Sequence, residues 1–122
     1  MASETNHPDE EPFEHPDHFL REWREFMNWS QEELAAMADV HYTTIGRIET
    51  GKRKLKTQFL GKLARIFGVP SSAILETNPA TESGGRTAHM LLAWNKLTAS
   101  QQDDLLKMVR SLTTPNDKAS NS

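Results

Sequence analysis

The chain contains no cysteine among its 122 residues, which excludes disulfides, thiolate metal ligands and thiol nucleophiles. Such a chain suits a reducing compartment without demanding one. Apolar residues are scarce at 36 %. That is below the usual share for a globular domain, so part of the chain carries no core. No apolar run approaches the roughly 20 residues that a membrane-spanning helix needs. The opening Met1-Ala2-Ser3-Glu4 has neither the basic start nor the apolar stretch of a secretory signal. The expectation is a soluble cytoplasmic protein with no membrane partner.

Basic residues are missing from the N-terminal end as well. Residues 1–16 hold five acids (Glu4, Asp9, Glu10, Glu11 and Glu14) and neither Lys nor Arg. They also hold three prolines and one large apolar residue, Phe13. Such a segment cannot bury enough surface to offset the entropy of ordering, so an acidic disordered tail is expected over 1–16. His7, His15 and His18 sit there or just beyond, at a spacing that fits no metal-ligand pattern. The net charge of −3 therefore says little about the middle of the chain. Residues 17–75 hold nine bases against seven acids, and residues 76–122 hold five of each. Lys52, Arg53, Lys54 and Lys56 stand almost consecutively within the basic part.

What the sequence does contain is helical periodicity. Phe19, Leu20, Trp23, Phe26 and Met27 recur at three- and four-residue spacing, predicting a helix from Asp17, its cap, to Met27. Ser30-x-x-Glu33 is a capping box that opens a second helix, with Leu34, Met37 and Ala38 as its apolar face. Trp29, just before that cap, fits a hydrophobic staple. A short break at Asp39-Val40-His41 precedes a third helix over Tyr42–Thr50. There Ile45 and Ile48 face one way, and Thr43, Gly46 and Arg47 lie roughly opposite. Gly51 suits the stop. Lys52 to Lys56 is a basic loop. A fourth helix capped by Thr57 carries Phe59, Leu60, Leu63, Ala64, Ile66 and Phe67, and a short fifth runs from Ser71 to Leu75.

The composition of residues 77–87 predicts a linker, with the Gly84-Gly85 pair explained by flexibility. Two further helices are expected within residues 88–113. One is Ala88–Leu97, and the other opens on the Thr98-x-x-Gln101 capping box. Trp94, Leu105, Leu106, Met108, Val109 and Leu112 make an apolar stripe, fit to pack on the chain's own domain or on a second subunit. Residues 114–122 read as a disordered tail. The fold class is all-α: a five-helix domain over 17–76, followed by one or two C-terminal helices.

Five helices in some 60 residues, with a tight break between the second and third, describe a helix-turn-helix unit. The run from Ser30 to Val40, the run Thr44-Ile-Gly-Arg-Ile-Glu-Thr-Gly-Lys-Arg53, and Leu60 to Val69 closely resemble the lambda-repressor-like, Cro/C1-type (XRE) DNA-binding domains. The resemblance covers residues 19–75 and rests on several spaced elements in order. It departs at Asp39, where the family often has glycine.

The resemblance implies a transcriptional regulator, more often a repressor, that binds double-stranded DNA as a homodimer. It assigns base reading to Tyr42, Thr43 and Arg47, a DNA-backbone contact to Gln31, and a structural salt bridge to Arg24 and Glu49. The chemistry of the residues agrees. Arg47 can donate two hydrogen bonds to guanine, and Thr43 can bond a base edge or touch a thymine methyl. Gly46 either permits close approach to DNA or is a tolerated surface glycine. His41, Thr50, Lys52, Arg53, Lys54 and Lys56 flank the third helix where a phosphate strand would pass, the alternative being an ordinary solvated loop.

Other classes stay open. The same fold can serve as an adaptor or antitoxin-like module that binds protein through its C-terminal helices. An enzyme is the weakest reading. No nucleophile–base spacing, zinc motif or phosphate-cradling glycine loop stands out, so no catalytic residue, metal or cofactor is expected.

Overall fold

The computed structural model describes residues 14–121, with side chains through Thr113. Seven helices and one small sheet lie within these residues. In order they are β1 (Glu14–His15), α1 (Leu20–Phe26), α2 (Gln31–Ala38), α3 (Tyr42–Glu49), β2 (Leu55–Lys56), α4 (Thr57–Phe67), α5 (Ser71–Glu76), α6 (Glu82–Asn95) and α7 (Ala99–Asn121).

Local chemistry sets most helix starts. Ser30 Oγ accepts from Glu33 N at 3.0 Å and Glu33 Oε1 accepts from Ser30 N at 2.7 Å, so α2 opens on a complete capping box. The same reciprocal pair, Thr98 with Gln101, opens α7. Three expected caps, at Asp17, Thr57 and Ser71, move. Helix α1 starts at Leu20 rather than near Asp17, because Phe19 N donates to Ile74 O at 2.8 Å and holds the entry to α1 against α5. Thr57 and Ser71 are the first helical residues of α4 and α5, whose N-caps are Lys56 and Pro70. The break between α2 and α3 turns on Asp39, in the left-handed region at φ 59°. A short polar side chain bears this conformation at lower cost than a bulkier one would.

The core gathers one face of every helix from α1 to α6. Leu20, Trp23, Leu34, Ile45, Leu55, Leu63 and Ile74 are its largest fully buried side chains. Trp23 ties the first helix to the fifth, since its Nε1 donates to both Ala73 O and Thr77 O at 3.0 Å. Trp29 stacks on Phe67, with ring centroids 5.4 Å apart. It therefore joins the core periphery as well as preceding the Ser30 cap.

Three expectations about the ends of the domain are corrected. The first concerns the tail over 1–16, of which residues 1–13 lie outside the described residues. Glu14 and His15 form a strand, pairing antiparallel with Lys56 and Leu55. Part of the expected basic loop is thereby a strand, anchored by the buried Leu55.

The second concerns the linker over 77–87, which is helical from Glu82. Thr81 Oγ1 accepts from Gly84 N at 3.0 Å and caps α6, while Asn78 O accepts from Thr81 N and Oγ1. Gly84 fits here because a Cβ would overlap the Asn78 carbonyl. Close backbone approach, not flexibility, accounts for it.

The third concerns the expected break at Thr113. Helix α7 continues past Pro115 to Asn121. A proline removes one helical hydrogen bond and favours a kink without having to end the helix.

Helix α6 belongs to the same core as α1–α5. Ala88 is fully buried, Leu91 and Leu92 pack against the core, and His89 meets Phe26 edge-on. Asn95 Nδ2 donates to Gly68 O, closing the far end of α6 onto the α4–α5 turn. Among the described residues no helix is long and apolar enough to cross a membrane.

Candidate nucleic-acid interface

Helix α3 has two chemically distinct faces. Ile45 and Ile48 are buried in the core, which orients the whole helix. Tyr42, Thr43 and Arg47 point to solvent, with Tyr42 45 % exposed. The 3.6-residue period makes this division unavoidable once Ile45 and Ile48 are buried.

Its N-terminus is capped by His41, a role the sequence did not announce. His41 Nδ1 accepts from Thr43 N at 3.3 Å and lies 3.0 Å from Thr43 Oγ1. Its ring also stacks on Tyr42, with centroids 4.5 Å apart. Histidine is an uncommon cap, and no motif flags it. The three residues nevertheless form one exposed cluster at the start of α3.

At the other end a buried ion pair locks α3 to α1. Arg24 Nε donates to Glu49 Oε2 at 2.6 Å and Nη2 donates to Oε1 at 3.1 Å. Nη1 donates to Trp29 O at 2.8 Å. The Arg24 and Glu49 side chains are only 11 % and 2 % exposed. The Glu49 hydrogen bond holds the Arg24 guanidinium above its already high pKa, against the desolvation that opposes it. Three of the five Arg24 N–H donors are thus engaged inside the fold.

Gln31 is drawn into the same network. Its Nε2 donates to Glu49 Oε1 at 3.0 Å, and its amide covers Gly46, where an added Cβ would meet it at 3.5 Å. Gly46 is thus half-buried beside Gln31. The side chain of Gln31 is occupied, while its backbone N–H opens α2.

The basic segment folds back onto the end of α3. Thr50 Oγ1 donates to Gly46 O at 3.0 Å, and Arg53 N donates to Arg47 O at 3.0 Å. Gly51 turns the chain at φ 81°, a conformation that favours glycine. Lys52, Arg53, Lys54 and Lys56 are all exposed beside the open face of α3. Lys54 Nζ lies 3.6 Å from Glu14 Oε1. Among the described residues Arg47, Lys52, Arg53 and Lys56 carry no ion pair, and no group of His, Asp or Glu is placed to hold a metal ion.

The C-terminal residues divide. Trp94 and Leu105 are half-buried, and Gln102 Nε2 donates to Trp94 O at 2.9 Å across the α6–α7 turn. Leu106, Met108, Val109 and Leu112 stand out from α7, at 38 to 71 % exposure.

Residues 20–74 match the family model for helix-turn-helix domains, of the Cro/C1 (XRE) type. That family comprises DNA-binding transcription regulators. No curated protein and no solved structure matches the chain.

Proposed function

We propose that this helix-turn-helix domain binds specific double-stranded DNA sites, with α3 in the major groove, and represses transcription as a homodimer. The carrying observation is the exposed row Tyr42, Thr43 and Arg47 on a helix whose opposite face is buried, with four cations folded onto its end. Arg47 reads guanine bidentately, Thr43 reads a base edge or a thymine methyl, and Tyr42 reaches base or phosphate. Gly46 keeps the helix surface low between them. Gln31 holds a phosphate through its backbone N–H at the start of α2, where the helix dipole favours an anion. His41, Thr50, Lys52, Arg53, Lys54 and Lys56 grip the strands on either side.

One domain of this size touches few base pairs, so two copies reading half-sites about one helical turn apart fit the need for affinity. The exposed stripe of Leu106, Met108, Val109 and Leu112, with Leu105 and Trp94 at its base, supplies the contact between copies. The protein acts in the cytoplasm, at the nucleoid.

Selection of bound duplexes from a random pool tests this reading, with a two-fold symmetric consensus as the expected result. Arg47→Ala should relax preference at one base pair by about 1–3 kcal/mol. Each loop lysine removed should lower the salt slope by about one. Absence of any enriched sequence overturns the reading. The same α7 stripe favours a second one, an adaptor or antitoxin-like module. It gains if the chain stays monomeric with DNA and the Arg47 and lysine changes leave DNA binding unaltered.

A further inference from the structure

We propose that His41 sets the polarity of Thr43, leaving its hydroxyl as an acceptor that reads an amino group on a base edge. This inference rests on the DNA-binding reading above. That reading leaves Thr43 a choice between a base edge and a thymine methyl, and the neighbouring ring narrows the choice.

Three observations carry it. The first is the cap. His41 Nδ1 accepts from Thr43 N at 3.3 Å. A neutral imidazole has one acceptor nitrogen and one N–H. With Nδ1 as the acceptor, the proton stands on Nε2. The opposite ring orientation would set Cδ2–H against the Thr43 N–H and leave that donor uncapped. The ring is held further by its stack on Tyr42, with centroids 4.5 Å apart and planes 29° from parallel.

The second is the hydroxyl. Thr43 Oγ1 lies 3.0 Å from the same Nδ1. An acceptor nitrogen at that distance takes the O–H proton, which leaves the Oγ1 lone pairs free. Other helical threonines behave differently. Thr50, Thr87 and Thr113 donate their hydroxyl protons to carbonyls four residues back. For Thr43 that carbonyl belongs to Asp39, in the left-handed turn before α3. Among the described residues, His41 is the partner of the Thr43 hydroxyl.

The third is complementarity. In the major groove guanine presents only acceptors, N7 and O6, whereas adenine N6 and cytosine N4 are donors. An Oγ1 whose proton is turned away is attracted to an amino group and repelled by a guanine edge. Arg47, one turn along the same face of α3, has donors only. The exposed row therefore carries opposite polarities at two positions. Arg47 takes an acceptor edge, and Thr43 takes an amino group. His41 is the positioning residue, and its Nε2–H remains a donor for phosphate.

The test begins with duplexes selected from a random pool by the full chain. Thr43→Val removes the hydroxyl at nearly constant shape, so the base pair facing Thr43 is the one where preference changes. At that pair the amino group is deleted, with purine in place of adenine or 2-pyrimidinone in place of cytosine. Fluorescence anisotropy then gives Kd for the matched duplexes. The wild type should lose roughly three- to tenfold, the worth of one hydrogen bond. Thr43→Val should lose much less. Deleting the purine N7 acceptor at the same pair should cost the wild type less than deleting the amino group. His41→Gly keeps a tolerated cap without the acceptor, so its amino loss should shrink toward that of Thr43→Val. His41→Asn returns an acceptor to the cap and should restore the loss. Comparing matched duplexes within each variant cancels any uniform change from a lost phosphate contact. An equal amino loss in the wild type and His41→Gly overturns the positioning role. No change of preference with Thr43→Val, or a loss confined to N7 deletion, overturns the acceptor assignment while leaving DNA binding intact. Failure of the pool to enrich any sequence overturns the underlying reading and this inference with it.

Discussion

Removing Glu49 tests the central physical claim about how α3 is held. Its carboxylate receives two hydrogen bonds from Arg24 and one from Gln31, with the Arg24 side chain only 11 % exposed. Glu49→Ala leaves the guanidinium with a single acceptor, Trp29 O, inside the fold. Breaking a buried pair from one side costs about 3–5 kcal/mol, most of it the penalty of an uncompensated charge. At about 4–8 °C per kcal/mol for a small domain, the melting temperature should fall by roughly 15 °C or more. Urea unfolding followed by tryptophan fluorescence reads this directly, because Trp23 is fully buried. Arg24→Met combined with Glu49→Leu removes both charges and should return stability to within about 1 kcal/mol of the wild type. The double variant separates desolvation from lost contact. A Glu49→Ala cost below about 1 kcal/mol, in the range of exposed pairs, would refute the claim that this pair is buried and structural.

Other expectations follow from single residues. Gly84→Ala places a methyl on the Asn78 carbonyl and should cost about 1–3 kcal/mol in thermal unfolding, despite alanine's better helix propensity. Asp39→Gly relieves a left-handed non-glycine residue at φ 59° and should be neutral to stabilising by up to about 1 kcal/mol, measured by urea midpoint. Burial lowers the His18 pKa from its ordinary 6.5, outweighing the pull of Glu22, Asp17 and Glu49 and a hydrogen bond with the Ile48 backbone. The unfolded chain then binds more protons just below pH 6.5, so stability should fall on acidification through that range. His18→Asn should fall less between pH 7.5 and 5.

Sequence periodicity exposes features whose cause is local. The Ser30 and Thr98 capping boxes need only four consecutive residues, and the two faces of α3 need only Ile45 and Ile48. The Arg24–Glu49 pairing spans 25 positions and came from family resemblance, since no spacing rule links them. What stayed hidden depends on distant partners. The β1–β2 ladder is two residues long and joins segments some 40 positions apart, too short for any alternation to show. Leu55 reads as an isolated apolar residue between lysines, yet it is buried beneath the strand pair. Gly84 looks like a linker residue because its reason, the Asn78 carbonyl, is visible only once the chain has folded back. Thr81 followed by Glu82 was the signal available for the start of α6: a capping residue with an acid in the first turn.

The open question of the C-terminal stripe divides along the turn at Lys96–Thr98. Helix α6 has its partner already, since Ala88 lies in the core and Asn95 reaches Gly68 O. Helix α7 is joined to it by three residues, and Gln102 donates back to Trp94 O. The direction in which α7 leaves the domain is therefore set by α6, which is itself set by the core that orients α3. A stripe held this way carries Leu106, Met108, Val109 and Leu112 on a helix whose link to α3 runs through α6 and the core. If two copies join along it, the separation of their α3 helices follows from the α6–α7 turn and not from DNA. An insertion of residues at Lys96–Thr98 should then weaken binding to a paired site while leaving a single half-site unaffected. Equal loss at both sites would place the stripe's role inside one copy.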